Sequence, residues 1–360
     1  MTSASPAALA AAPTGQTDPA ARRRLERLWR RGVEFLGCRH AILGGAMTWV
    51  SERNLVAAIS NGGGFGVLAS GAMPPDVLRA EIRATRALTA QPFGVNLITM
   101  HPRLAELVEI CLEERIGHVV LAGGLPQSAT IARLKEGGAK VLCFAPALPF
   151  AKKLVRIGAD ALILEGTEAG GHIGPVSTAV LAQEILPEMA HVVPVFIAGG
   201  IGRGDAIVTA LEAGASGVQI GTRFVCATES VAHPRFKQAF IRAAARDAVA
   251  SVQLDPRFPV IPVRALQNEG GRRFAELQRD VIARYDRGEI TLKEGQLEIE
   301  HFWAGALRRA VVEGDVETGS LMAGQSVGMV TREQPVAEIL AELVAQAEAA
   351  IALRMSRAEA

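Results

Sequence analysis

The chain repeats one structural unit from residue 41 onward: a short apolar run, a turn, and then an amphipathic segment. The apolar runs are hydrophobic throughout, which is typical of strands that are buried on both faces of a parallel sheet. Eight such runs follow one another at a spacing of roughly 20–30 residues. We therefore predict strands at Ala41–Met47, Gly64–Ala69, Phe93–Ile98, His118–Ala122, Lys140–Ala145, Ala161–Leu164, Val193–Ala198 and Gly217–Ile220.

Eight strands that alternate with helices predict an α/β protein with a (β/α)8 barrel, the TIM barrel. The predicted helices include Pro75–Leu88, with apolar residues at helical spacing, and Asp205–Ala213, which has Gly214 just past its end. The chain has 37 glycines and only 4% aromatic residues, which fits many tight strand-to-helix turns. A doubly wound open sheet is the competing architecture, although its GxGxxG signature does not occur in the sequence.

The remaining segments predict a division of the chain around this barrel. Residues 1–20 are rich in Ala, Pro, Thr and Ser and predict a disordered tail, and residues 21–35 predict an arginine-rich helix. The barrel then occupies residues 36–224. We expect residues 225–318 to form a helical lid after strand 8, and residues 319–360 to return to the barrel and end in a helix that packs on its wall. Helical patterns in the lid span His233–Asp247, Arg264–Arg287 and Lys293–Val312.

Two glycine turns follow the last two predicted strands. Gly199–Gly202 comes after strand 7, and Gly221 and Thr222 come after strand 8. In barrels of this kind, phosphate groups are usually bound by these two loops, because glycine lets backbone N–H groups approach an anion closely. Asn96, near the end of strand 3, lies at the same mouth and can hydrogen-bond a heterocycle. Simple tight turns are the alternative interpretation of both glycine sequences.

His172 is the candidate catalytic residue. It lies within the glycine-rich stretch Glu165–Pro175 (EGTEAGGHIGP), directly after a predicted buried strand. A neutral imidazole at the barrel mouth can accept a proton from a substrate or return one. The alternative is a structural histidine, since six other histidines occur in the chain.

The bulk properties of the chain narrow the class of function. A formal net charge of +1 gives no general attraction to nucleic acid. No apolar run is long enough to predict a membrane span, and the first twenty residues do not resemble a secretory signal. The four cysteines are far apart, which favours reduced thiols over disulfides or a metal site. We expect a cytoplasmic protein that contains no metal.

Six motifs, in order, resemble the nitronate monooxygenase superfamily, which includes the FMN-dependent enoyl-acyl-carrier-protein reductases. They are GGAMTWVSE, FGVNL, EGTEAGGHIG, AGGIGRG, GVQIGTRFV and GSLMAGQSVGMV, and the resemblance runs from about residue 36 to residue 345. It implies a TIM barrel that binds FMN non-covalently, with the phosphate on the loops after strands 7 and 8. It also implies that His172 is the catalytic residue. The implied cofactor-binding residues are Ala46, Met47, Thr48, Asn96, Glu165, Gly170, Gly171, Gly199, Gly200, Gln219, Gly221, Thr222, Met322, Gly324 and Gln325.

The two branches of this superfamily differ in their chemistry. In nitronate monooxygenases, the histidine deprotonates or orients an alkyl nitronate, which is oxidised with O2. In the reductases, NADH or NADPH supplies electrons through FMN to an enoyl thioester. We favour the nitronate branch and keep the reductase as the alternative. The expected partner is a small-molecule substrate, a nitronate or an enoyl thioester, and a homodimer stays open. Remoter alternatives are a phosphate-binding isomerase or lyase without redox chemistry, and a flavin-binding protein without catalysis.

Overall fold

Eight parallel strands form the barrel in the computed structural model, which describes residues 18–359. Each strand pairs with its neighbour in the order β1-β9-β8-β6-β5-β4-β3-β2. The ring closes between β1 and β2, where the Phe65 N–H donates to the Ile42 carbonyl and the Gly44 N–H donates to the Phe65 carbonyl, each at 2.9 Å. The eleven strands are β1 (Ile42–Gly44), β2 (Val67–Ala69), β3 (Gly94–Ile98), β4 (His118–Ala122), β5 (Lys140–Phe144), β6 (Ala161–Glu165), β7 (Gly171–His172), β8 (Val195–Ala198), β9 (Gly217–Ile220), β10 (Ala248–Ala250) and β11 (Val263–Leu266).

The helices form a ring outside the barrel and a group after its last strand. They are α1 (Pro19–Leu28), α2 (Arg30–Leu36), α3 (Arg53–Asn61), α4 (Pro75–Leu88), α5 (Leu104–Glu113), α6 (Ser128–Glu136), α7 (Leu148–Arg156), α8 (Thr178–Met189), α9 (Gly204–Glu212), α10 (Thr222–Val225), α11 (Pro234–Arg242), α12 (Glu269–Asp286), α13 (Leu292–Phe302), α14 (Ala306–Arg308) and α15 (Val336–Glu359). Helix α15 packs against α9 and α3, so it completes the ring between the last and first barrel units. Residues 226–335, called the insertion below, separate α15 from the barrel strands.

Two apolar layers pack against the barrel strands, one inside the barrel and one outside it. The barrel interior is filled by side chains such as Leu43, Phe65 and Phe196, while a second, larger cluster fills the space between the strands and the outer helices. Both faces of the strands are therefore buried, as their continuous apolar sequences predict. The predicted TIM barrel is confirmed, with all eight predicted strands present.

The N-terminal helices cover the end of the barrel opposite the mouth. The predicted single helix over residues 21–35 is wrong, since α1 and α2 are separated at Trp29. Phe35, near the end of α2, packs edge-on against His118 at the start of β4, and its carbonyl accepts from the Lys140 ammonium at 2.6 Å. The disordered tail predicted for residues 1–20 falls outside the described residues up to residue 17, and α1 already begins at Pro19.

The insertion differs from the expected all-helical lid. The helix predicted over Arg264–Arg287 begins only at Glu269, because Asn268 caps it by accepting from the Gly271 N–H at 3.1 Å. The residues before this cap form β11 instead. Likewise, the helix predicted over His233–Asp247 ends at Arg242, and the chain continues into β10. Strands β10 and β11 join β7 in a three-stranded antiparallel sheet, called the outer sheet below.

Candidate active site

Three polar side chains, those of Glu165, Gln219 and Asn96, project into the barrel lumen at its carboxyl-terminal end. Ala198 on β8 is the register partner of both Glu165 on β6 and Gln219 on β9. Adjacent partners in a sheet point to the same face, and Ala198 belongs to the interior cluster, so Glu165 and Gln219 also face the lumen. Asn96 reaches it from β3 and donates its amide to the Val120 carbonyl at 3.0 Å. These predicted cofactor-binding residues therefore form a polar layer above an apolar barrel interior.

Glu165 is the most perturbed group of this layer. Burial by the surrounding protein is the one influence on its carboxyl, with no hydrogen bond to another described residue. Loss of hydration disfavours the charged carboxylate, and this raises its pKa from 4.5 to about 8. At neutral pH Glu165 therefore carries its proton and can donate a hydrogen bond.

The glycine turn after β8 exposes backbone donors at the mouth. Gly199 and Gly200 have φ angles of +94° and +74°, a left-handed conformation that favours glycine. No acceptor among the described residues pairs with either N–H group. A Cβ atom on Gly200 would lie 3.2 Å from Cβ of Glu168, so a side chain would narrow this turn. Two adjacent unpaired N–H groups in such a turn form a concave site suited to an anion.

The second predicted loop is locked to the return segment. The Thr222 hydroxyl accepts from the Gly324 N–H at 3.0 Å, which leaves its own proton free to be donated. The next N–H, from Gln325, donates to the Glu168 carbonyl at 2.9 Å. Gly170 needs to be glycine, because a Cβ there would lie 2.5 Å from the Gly324 nitrogen. The structure therefore brings Thr222, Gly324, Gln325 and Gly170 together.

The loop after β1 forms the opposite wall of the mouth. The Met47 N–H donates to the Ser51 hydroxyl at 3.0 Å, and that hydroxyl donates to the Gly45 carbonyl at 2.8 Å. This pairing ends β1 earlier than predicted, so Ala46, Met47 and Thr48 lie in a turn. Met47 reaches the loop after β9, since a Cβ on Gly221 would lie 3.5 Å from its sulfur. Trp49 follows with a φ of +69°, rare for a residue other than glycine, and is 39% exposed.

His172 lies in the outer sheet, where it pairs with Val263 of β11. The Ile173 N–H donates to the Pro262 carbonyl at 3.0 Å, which extends this pairing. The imidazole is exposed to solvent, but the surrounding protein removes part of its hydration. This lowers its pKa below the ordinary 6.5, so the ring is neutral at neutral pH.

Arg264 links this histidine loop to β10 of the outer sheet and was not predicted from the sequence. Its guanidinium donates to the Thr167 carbonyl at 2.8 Å and to the Ala248 carbonyl at 2.6 Å, and the side chain is only 8% exposed. Burial lowers its pKa, while the nearby Glu168 carboxylate opposes that shift. Glu168 also accepts from the Thr178 N–H and hydroxyl at the start of α8. Glu168 lies within the glycine-rich stretch, whereas no signal in the sequence marks Arg264.

The comparison with known families agrees with this geometry. The sequence profile of the nitronate monooxygenase family matches residues 30–346. The chain belongs to the nitronate monooxygenase family. It is therefore an enzyme of an oxidoreductase family, as predicted. Among residues 18–359, no helix is long and apolar enough to cross a membrane, and no cluster of three or more His, Cys, Asp or Glu side chains is placed to hold a metal ion.

Proteins similar to this chain carry different names. The (3aS,4S,5R,7aS)-5-hydroxy-7a-methyl-1-oxo-octahydro-1H-indene-4-carboxyl-CoA dehydrogenase of Mycobacterium tuberculosis is 32% identical over 88% of this chain and 95% of its own length. The nitronate monooxygenase of Paraburkholderia phytofirmans is 29% identical over 86% of this chain and 93% of its own. The structure of FabK from Thermotoga maritima superimposes with a TM-score of 0.81 at 37% identity, covering 92% of this chain and 99% of FabK.

Proposed function

We propose that this protein is an FMN-dependent oxidoreductase that acts on an acyl thioester, with His172 as its acid–base residue. The observation that carries the proposal is a neutral imidazole on the rim of a mouth floored by polar, uncharged groups. The thioester is favoured over the nitronate because CoA dehydrogenases from two organisms are 32% and 30% identical to this chain over 88% and 89% of it. The similarity to FabK, an enoyl-ACP reductase at 37% identity, also favours an acyl thioester as the substrate.

The residues at the mouth fit FMN. The unpaired N–H groups of Gly199 and Gly200 suit its phosphate, with the free proton of Thr222 beside them. The protonated Glu165 and the amides of Asn96 and Gln219 suit the polar edge of its ring system. When bound, FMN supplies two-electron transfer to or from the substrate.

The transfer of the substrate proton is carried out by a residue of this chain. Oxidation of an acyl thioester removes a proton from Cα and a hydride from Cβ, and reduction of the enoyl thioester reverses both. In the oxidation His172 accepts the Cα proton, because its lowered pKa keeps the ring neutral. In the reduction the ring first takes up a proton from solvent, and the imidazolium then donates it to Cα.

Visible spectroscopy under anaerobic conditions tests this proposal. We expect a yellow protein whose absorbance near the flavin maximum is bleached by a saturated acyl-CoA, or by NADH or NADPH with recovery on addition of an enoyl-CoA. His172→Gln should keep the colour but lose the response to the thioester. A protein that binds no FMN contradicts the whole assignment.

Nitronate oxidation is the second candidate function. The matching family profile and the 29% identical enzyme of Paraburkholderia phytofirmans carry that name. Bleaching by an alkyl nitronate, with no response to any thioester or nicotinamide, would select it. NADH or NADPH is expected as a reductant only if the substrate is a thioester. The anaerobic spectroscopic titration then also decides which of the two nucleotides reduces the flavin.

A further inference from the structure

The outer sheet has two different faces. Directly opposed residues in antiparallel strands point to the same side, and alternate residues along one strand do so too. The pairs His172–Val263 and Val249–Ala265 therefore share one face. Gly171, Arg264, Leu266 and Ala248 lie on the other face, and all four are buried against the body of the protein.

The face that carries His172, called the open face below, is apolar except for Ser251, which lies opposite Val263 and whose hydroxyl accepts from the Val263 N–H at 3.0 Å. Val249 is 39% exposed, while Val263 and Ala265 are half-buried. Met322 stands opposite Ala265 across an isolated bridge and is also half-buried. Apart from Ser251, the residues of this face are thus hydrophobic and within reach of solvent. The charged member of the sheet, Arg264, points away from it.

The turn that joins β10 to β11 also exposes large apolar side chains. Val252 and Ile261 are each 66% exposed, a high exposure for aliphatic residues of this size. Asp255 and Arg257 are the charged residues of this turn, and they pair with each other at 2.7 Å. The surface around the imidazole therefore presents no unpaired charge from the outer sheet or its turn.

We propose that the open face is the surface that selects the substrate by its acyl group, and that it takes an uncharged, apolar alkyl or ring-containing group. This inference rests on the proposed thioester function and specifies its substrate class. The acyl group lies along Val263, Ala265 and Val249, which brings the carbons next to the thioester beside the imidazole. A charged group at the far end of the acyl chain would be left without a partner on this face.

Burial of each methylene on an apolar surface strengthens binding by up to about fourfold. The open face covers one side of a chain, so we expect about twofold tighter binding for each added methylene. Replacing Val263 with threonine keeps the branched side chain that a strand favours and adds a hydroxyl to the surface. We expect this change to weaken binding of a long chain about fivefold and that of a short chain little.

The test is calorimetric titration of the FMN-loaded full chain with unreactive S-butyl, S-hexyl and S-octyl CoA thioethers, and with an S-octyl analogue that ends in a carboxylate. The wild type should bind the series with rising affinity and should lose the gain for the carboxylate analogue. Val263→Thr should flatten the series. Val77→Thr is the matched control. Val77 is 43% exposed on α4, so this substitution makes the same chemical change outside the mouth.

Three results would overturn the inference: a flat series in the wild type, equal slopes for Val263→Thr and Val77→Thr, or equal binding of the carboxylate analogue. If Val263→Thr fails to fold, Val249→Thr on the same face provides the same comparison. Failure of the proposed function gives a different result, since no CoA thioether would then bind although FMN does. In that case, the dependence of kcat/KM on chain length for alkyl nitronates, with the same variants, tests the open face independently.

Discussion

Glu165→Gln should remove a large part of the pH dependence of stability. The folded protein holds the Glu165 proton with a pKa of about 8, compared with 4.5 for an ordinary carboxyl. Below pH 4.5 both the folded and unfolded states are protonated at this residue. Between these two values the unfolded state has lost its proton while the folded state retains it, so the free energy of unfolding falls as pH rises. This loss is complete once the pH passes the folded-state pKa.

The size of the effect follows from the shift. One pKa unit corresponds to about 1.4 kcal/mol, so the full shift corresponds to roughly 4–5 kcal/mol as an upper limit. Glutamine has nearly the same shape and cannot ionise, so it removes the contribution. We expect the free energy of unfolding of Glu165→Gln, relative to wild type, to increase by roughly 2–4 kcal/mol between pH 5 and pH 8.5.

Urea denaturation followed by circular dichroism, at several pH values and one fixed FMN concentration, measures this difference. Glu276→Gln is the control, because it makes the same chemical change at an exposed position on α12. We expect the Glu276→Gln curve to run parallel to that of the wild type. If the Glu165→Gln curve is also parallel, the carboxyl is ionised at neutral pH and the proton-donor role of Glu165 is wrong.

Three other perturbations test the rest of the site. His172→Ala should lower the turnover rate about 10²–10⁴-fold with FMN retained, and a fully active variant would contradict the acid–base role. In the wild type, kcat/KM should fall as the pH drops through the lowered His172 pKa, below 6.5. Gly200→Val should abolish FMN binding, because valine is strained at φ +74° and its Cβ would lie 3.2 Å from Glu168; full occupancy measured by absorbance would contradict the phosphate site. Arg264→Met should lower kcat and leave the FMN content unchanged, since the histidine loop loses its bond to Thr167; an unchanged kcat would limit Arg264 to a structural role.

The barrel could be predicted from the sequence because its signals are local. Each strand is a continuous apolar run, and each turn contains its own glycines, so Gly199, Gly200 and Gly221 could be placed at the mouth by counting strands. Helix Pro75–Leu88 was predicted with its observed bounds for the same reason. The limits of β1 were less clear, because the side chain of Ser51 turns the chain at Met47.

The outer sheet could not be predicted because its pairing is not local. Gly171 and His172 form a strand only through partners in β11, which is far away in the sequence. The burial of Arg264 could not be predicted either, because it depends on partners far away in the sequence and nothing in the sequence distinguishes a buried arginine from an exposed one. The perturbation of Glu165 depends likewise on walls contributed by separate loops. The sequence indicated which residues matter and left open which proton each one carries.

Those proton positions bear on the choice between the two candidate substrates. At neutral pH His172 is neutral because of its lowered pKa and Glu165 is neutral because of its raised pKa. Arg264 lies on the buried face of the outer sheet, and Glu168 is engaged by Thr178. A nitronate is an anion, and apart from the backbone N–H groups proposed for the FMN phosphate, these groups offer it no charge of opposite sign. A thioester is an uncharged carbon acid. A neutral imidazole on an apolar surface can accept its Cα proton directly, because the ring does not have to lose a proton beforehand.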